Sequence, residues 1–416
     1  MSKTNSVFKE KIAARIIQTV VKSKSNSSFK LSPADLHDYP GPDINKKYLL
    51  YLHIPFCKTF CSYCSFYKVA YKPKLVKAYF AALREDIKRA AAKGYHFQGV
   101  YIGGGTPTLA PDEVAKTIDL LHSLFDIKEV SCEGNPDIDA STIQLLKGRV
   151  DRLSVGVQSF QNSLLLKSKR LDKFGASEEM LETVSRIIEN FEIVNLDMIF
   201  NFYKQSEQGL LDDLSTLKSL SPHQIAYYPL MYSKYTKIAK QYGGYSQKNE
   251  LHFYEIVMDA LNQEYEQVGS WSYTKKGGKF FDEYVVNHDE YLGLGAGAFS
   301  YIDSTLYANT FNVEGYIENV NNNQSTIKLR KVYEQKDQLK YRLMLRLFAN
   351  EFEPEKFDQS YGQGSTKRVY KELVFLKTIN AFDKGSYSLN KAGKYYAMIM
   401  MKEFYIGMNE LRARLQ

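Results

Sequence analysis

The tightest constraint on this chain is the stretch Tyr51-Leu-His-Ile-Pro-Phe-Cys57-Lys-Thr-Phe-Cys61-Ser-Tyr-Cys64-Ser-Phe-Tyr67, which gathers three of its four cysteines into eight positions. Three thiolates at this spacing can hold three irons of a [4Fe–4S] cube and leave the fourth iron open to a small molecule. A closed zinc site needs a fourth ligand. Cys132 is the only other thiol, and no His-x3-5-His pair stands nearby. A redox pair of Cys61 and Cys64 would leave Cys57 idle. An iron–sulfur cluster is the reading that uses all three.

Around this loop the chain reads as alternating strands and helices. Tyr48-Leu-Leu-Tyr-Leu-His-Ile54 is a buried strand closed by Pro55. Further strands are expected at 98–102, 129–133, 152–157, 193–200 and 223–229, with helices over 74–95, 112–125, 141–147, 177–190 and 210–220 between them. Such alternation means parallel β/α units with functional loops at the strands' carboxyl ends. The pattern weakens after residue 240, which argues against eight regular units. A helix is expected over 247–264, followed by a turn at Lys275-Lys-Gly-Gly278 and a second glycine-rich element at Tyr291-Leu-Gly-Leu-Gly-Ala-Gly-Ala-Phe-Ser300. From about 330 the sequence turns helical, over 337–348, 364–378 and 391–415, with one short β segment near 385, as in a small winged-helix-like domain. Cys132 alternates with Val130 in a core strand and reads as structural.

The ends and the composition narrow the classes. A chain of 416 residues calls for one large domain plus additions. Its 44% hydrophobic and 25% charged content is ordinary for a globular protein, and a net charge of +8 spread along the chain forms no nucleic-acid-binding tract. No apolar run is long enough to cross a bilayer. The first 25 residues form a basic amphipathic helix, with Phe8, Ile12, Ile16, Ile17 and Val20 on the stripe that docks on the body. Weak membrane-surface contact is its lesser alternative. Residues 22–47 read as a linker. Free clustered cysteines and no export signal give a cytoplasmic expectation.

The Cys-x3-Cys-x2-Cys loop after a first strand, with Tyr63 before the last cysteine, resembles the motif of the radical S-adenosylmethionine (SAM) superfamily. Four further motifs narrow the resemblance: Tyr101-Ile-Gly-Gly-Gly-Thr-Pro-Thr108, Glu133-Gly-Asn-Pro136, Leu153-Ser-Val-Gly-Val-Gln-Ser-Phe160 and Leu292-Gly-Leu-Gly-Ala-Gly-Ala298. In this order they are similar to the oxygen-independent coproporphyrinogen III oxidase-like group. That resemblance implies an α/β fold: a partial (β/α)6 barrel over 48–305 with its extension, an N-terminal helix and linker over 1–47, and a mostly helical C-terminal domain over 306–416.

It also implies a site. Cys57, Cys61 and Cys64 would hold the [4Fe–4S] cluster, and SAM would chelate the open iron through its amine and carboxylate. Gly104, Gly105 and Thr106 would meet the amine, glycine permitting close approach. Glu133, Gln158, Arg170 and Asp197 match the group's polar SAM contacts, a carboxylate suiting ribose hydroxyls and an arginine a carboxylate. Tyr51 and Phe66 would shape the pocket wall, and Phe299 aligns with an adenine contact. Lys167 and Lys169 are rivals to Arg170. By the same resemblance, an electron donor such as flavodoxin or ferredoxin drives reductive cleavage of SAM to a 5′-deoxyadenosyl radical. That radical acts on a porphyrin- or heme-type tetrapyrrole, a ligand whose carboxylates suit the chain's positive charge.

Departures from the group bear on the reaction. The oxidase proper carries a fourth cysteine and an Asn soon after the third ligand, where this chain has Ser65-Phe66-Tyr67-Lys68. The group's heme-chaperone branch carries His-Asn-x-x-Tyr-Trp before the second glycine element. The corresponding stretch here is Phe281-Asp-Glu-Tyr-Val-Val286, with His288 beyond it as a lone alternative iron ligand. Asn201-Phe-Tyr-Lys-Gln205 replaces the usual Gly-Leu-Pro. Cys64-Ser-Phe-Tyr67 resembles the anaerobic heme-opening radical SAM methyltransferases. The expectation is a radical SAM enzyme acting on a tetrapyrrole, with a heme-opening methyltransferase, a heme chaperone and a zinc-held structural module as alternatives.

Overall fold

A computed structural model of the chain describes residues 3–416 other than 35, 37, 38, 232, 243–248 and 281–287. Six strands run parallel and adjacent in chain order: β1 (Tyr48–Ile54), β2 (Phe97–Gly104), β3 (Glu129–Gly134), β4 (Arg152–Gln158), β5 (Ile193–Phe200) and β6 (Gln224–Pro229). Each is dominated by buried residues, as parallel strands covered on both faces must be. Helices between them pack on the outer face and start or stop where local chemistry dictates. Pro73 opens the first of them, Asp139 and Ser206 accept the first-turn N–H groups of Thr142 and Gly209, and Gly94 takes the left-handed conformation just past Ala92.

A seventh parallel strand, β7 (Glu290–Leu294), lies on the other side of β1, within what reads in sequence as a glycine-rich element. Its chain then returns antiparallel as β8 (Phe299–Ile302), β9 (Thr305–Asn309) and β10 (Ile327–Val332). At the far side β6 is extended by the antiparallel strands Ser272–Lys275 and Tyr265–Gln267. The two edges do not pair with each other, so the barrel is partial. The chiefly helical part begins at Gln335, and its one β element is the bridge between Phe382 and Leu389.

The ends of the chain are tied together. The N-terminal helix Lys3–Ser28 lies along the C-terminal helix Lys391–Leu415. Ala13, Ala14 and Ile17 are the buried residues of that contact, while Ile12, Ile16 and Val20 are 44, 45 and 54% exposed. The docking stripe therefore keeps Ile17 of the expected residues but otherwise runs through alanines, small side chains that let two helices approach closely. The helix also continues six residues past Lys22 into the expected linker, with Ser25 and Phe29 facing inward. Beyond it Ser32–Pro33 pairs with β10. Among the described residues no helix is long and apolar enough to cross a membrane.

A buried ion pair holds the C-terminal helix down. Lys402 Nζ donates to both oxygens of Glu250 at 2.8 and 2.9 Å, both side chains are 1% exposed, and Gln18 Nε2 of the N-terminal helix donates to neighbouring Glu403 at 2.7 Å. Removing one member leaves a buried charge uncompensated. Lys402→Met should lower the unfolding free energy by about 3–5 kcal/mol, read from urea denaturation. The double variant Lys402→Met, Glu250→Leu should recover most of that loss.

Candidate functional site

The cysteine loop hangs from the carboxyl end of β1. Phe56–Cys57 pairs with Val69–Ala70, which closes the loop at its base, and Lys68 Nζ donates to the carbonyls of Cys64 and Phe66 at 2.9 and 3.1 Å from inside it. Cys57 is buried, Cys61 and Cys64 are half-buried, and all are free thiols. Burial pushes the Cys57 thiol up, partly offset by Thr106 Oγ1 at 3.5 Å. Among the described residues no three His, Cys, Asp or Glu side chains converge on a single ion. The three sulfurs of a cube bind three different irons, so the donor set fits a cluster better than one zinc ion. Cys132 is fully buried in the core of β3.

Directly after β2 the glycine loop crosses over the end of β1. Gly105 N–H donates to Ile54 O at 2.8 Å and Thr106 N–H to Phe56 O at 2.9 Å. Gly104 has φ +118°, and a Cβ there would stand 2.5 Å from the His53 ring. Glu133 accepts from Gly104 N–H at 2.9 Å and from Tyr101 OH at 3.0 Å, which sets the direction of its carboxylate. Asn135 Nδ2 donates to Thr106 Oγ1 at 3.1 Å. Gln158 ends β4 in the left-handed region at φ 77°. Asp197, in β5, accepts from Asn195 Nδ2 at 2.7 Å and Ser154 Oγ at 3.1 Å.

Arg170 stands on the cluster side. It is 3% exposed, and its Nη1 reaches Cys61 Sγ at 3.4 Å and Tyr63 OH at 3.3 Å, while Nη2 donates to Gly156 O. Its contacts within the chain are with the cysteine loop, Gly156 of β4 and the ring of Phe174.

Three contributors escape the sequence reading. His53 sits inside a quoted motif, but only the fold shows what it does. Its Nε2 lies 3.2 Å from Tyr67 O, a pure acceptor, so Nε2 carries the proton and Nδ1 accepts from Tyr51 OH at 2.8 Å. Burial, then the charge of Arg412, push its pKa down to about 3, so the ring stays neutral and acts as a strut under Gly104. Asn135 belongs to the Glu133 motif and could be found there. Arg412 comes from the last helix and carries no sequence signal at all. His288, by contrast, packs against Gly99 near the amino end of β2, at the other end of that strand from the cysteines. That position removes it as an iron ligand at this site. The stretch 281–286 lies outside the described residues.

A cavity of about 470 Å³ adjoins this bed. Tyr51, His53 and Phe299 belong to its inner end, the C-terminal helix supplies Met408 and Arg412, and the N-terminal helix supplies Ile16 on the open side. Its walls are mostly apolar, and its size falls in the range of small-molecule sites. Phe66 does not line it but lies 5.0 Å beneath the guanidinium of Arg412.

Comparison with known proteins agrees with this arrangement. Residues 51–217 match the radical SAM superfamily. The heme chaperone HemW of Bacillus subtilis is 32% identical over 287 residues, covering 64% of this chain and 74% of that protein. Anaerobilin synthase of Escherichia coli O157:H7 is 25% identical over 293 residues, covering 66% of this chain and 65% of the other. In fold, the chain is similar to coproporphyrinogen III oxidase (HemN) from Escherichia coli, with a TM-score of 0.72 at 20% identity over 86% of this chain and 90% of that one. Radical SAM proteins use a [4Fe–4S] cluster and SAM, and the three free thiols beside the glycine loop are the donor set such a pair needs. This chain belongs to the radical SAM superfamily, in its coproporphyrinogen III oxidase-like group.

Proposed function

We propose that this chain binds heme as a chaperone, holding a [4Fe–4S] cluster and SAM in the bed beside the heme, and does not decarboxylate coproporphyrinogen. The observation that carries this reading is the 32% identity to a heme chaperone across 74% of that protein's length. The cysteine loop adds support, since Ser65-Phe66-Tyr67-Lys68 occupies the stretch where the oxidase has a fourth cysteine and an asparagine, and Lys68 is engaged in bracing the loop's own carbonyls.

In this reading Cys57, Cys61 and Cys64 hold the cluster. Gly104, Gly105, Thr106, Glu133, Gln158 and Asp197 hold SAM, Tyr51, Phe66 and Phe299 wall it, and Arg170 acts from behind Cys61 rather than on SAM. Held by the three thiols, the cluster would supply the electron for reduction of bound SAM. The chain's own part is positional. Glu133 is oriented by Gly104 N–H and Tyr101 to meet hydroxyls, His53 braces the glycine loop while staying uncharged, and Phe299 excludes water from the inner end of the cavity.

A second reading, turnover of the tetrapyrrole, has its own observation. The cavity shares Tyr51 and Phe299 with the bed, so a ligand in it would lie near a radical formed there, and anaerobilin synthase is among the relatives. Protein reconstituted anaerobically and given heme, SAM and a strong reductant separates the two. The chaperone reading expects heme bound and recovered intact by mass spectrometry, with no 5′-deoxyadenosine coupled to its loss. Stoichiometric 5′-deoxyadenosine with heme consumed would overturn it in favour of an enzyme. Glu133→Gln should weaken SAM binding by about 10-fold or more while iron content stays that of the parent protein, because it removes a charged acceptor without touching the thiols.

A further inference from the structure

The last helix brings to the site a cation that neither the cluster nor the SAM bed uses. Arg412 is 8% exposed, and its Nη1 donates to Asn409 Oδ1 at 2.8 Å, an amide one turn back on the same helix. Among the described residues no carboxylate pairs with it. Its guanidinium lies 5.0 Å from the ring centre of Phe66 and 5.5 Å from that of Phe299, so it spans the cysteine loop and the first strand of the return sheet. Ring faces offset part of the cost of burying the charge, and one amide offsets a little more. The planar fork of an arginine is matched by a carboxylate, which can take two parallel N–H bonds at once.

Arg412 also lines the cavity, beside Tyr51, His53 and Phe299 at its buried end. Among the described residues no other cation stands at that end. Lys24 and Lys371, also among the lining residues, are both exposed, and Lys340 is engaged by Glu372 at 2.8 Å. Between the two ends the walls are apolar, with Met400, Met401 and Met408 on one side and Ile16, Ile17 and Val20 on the other. Such a site suits a ligand with a broad apolar body and a carboxylate that must reach inward. Neutral His53, held by Tyr51 and Tyr67, adds no competing charge.

We propose that Arg412 is the carboxylate anchor of this cavity, pairing with a side-chain carboxylate of a tetrapyrrole whose macrocycle lies between the N-terminal and C-terminal helices. The ligand class rests on the heme-binding reading above; the place and the anchor rest on the cavity and the buried cation. SAM also carries a carboxylate, so the test includes it.

Full-length protein loaded with cluster is titrated with hemin, with hemin dimethyl ester and with SAM, in parent, Arg412→Gln and Arg412→Lys forms of equal iron content. Arg412→Gln should weaken hemin by about 10- to 100-fold, the loss of a charge-assisted pair. It should leave the ester, which the parent already binds more weakly, and SAM unchanged. Arg412→Lys should restore part of the hemin affinity. Equal binding of hemin by parent and Arg412→Gln, or equal losses for hemin and ester, would overturn the anchor and leave the heme reading standing. A loss confined to SAM would reassign Arg412 to the cofactor and also overturn it. A parent protein that binds neither hemin nor ester would overturn the heme reading itself, and the anchor with it.

Discussion

Two backbone hydrogen bonds underlie the whole site. Ile54 O and Phe56 O accept from Gly105 and Thr106, so the glycine loop is clamped over the residues that lead into Cys57. The same short stretch is held from the other side, where Val69 N–H donates to Pro55 O at 2.6 Å and Tyr71 N–H to Cys57 O at 3.0 Å. Cysteine loop and glycine loop thus hang on one segment, and neither can shift without the other. Gly105 is where this constraint bites, because a Cβ there would stand 2.7 Å from Phe56 O. An alanine would have to push the two loops apart, separating the three thiols from Gly104 and Thr106.

What could be read in the sequence follows from how local each signal is. The six strands β1–β6 are short apolar runs flanked by helices, and their burial on both faces is written in consecutive residues. The seventh escapes because Tyr291-Leu-Gly-Leu294 is a strand only by virtue of Leu49–Leu52, far away in the chain, with which it pairs. Gly293 is there for the return strand, since a Cβ would meet Phe299 O at 2.0 Å. The N-terminal helix shows the same limit. Its existence is legible from spacing, but its orientation depends on Ala13 and Ala14 meeting the last helix, and alanines leave no mark on a search for bulky stripes.

The candidate site divides along the same line. Cys57, Cys61, Cys64, Gly104, Thr106 and Glu133 lie in compact motifs whose chemistry shows in residue type and spacing. Arg170 is legible as a residue but not in its placement, because its partners come from two separate elements, Cys61 and Tyr63 from the cysteine loop and Gly156 from β4. Arg412 is the extreme case. Nothing in Glu410-Leu-Arg412-Ala-Arg414 distinguishes one arginine of a terminal helix from another, and only the crossing of that helix over the cysteine loop does so.

The two buried arginines carry the last step of the argument. Arg170 meets a thiol, a phenol and a carbonyl through its two terminal nitrogens, all from within the chain. Arg412 has one amide and two ring faces, and its surroundings include a mostly apolar cavity of about 470 Å³. Interiors are otherwise close-packed, and voids lined by apolar groups forfeit dispersion contacts that the walls could have made with each other. Fold stability alone would favour filling that space with larger side chains and replacing Arg412 by an apolar residue. Keeping both a void and an incompletely matched charge at its inner end makes physical sense when a ligand supplies the missing contacts and the missing anion together.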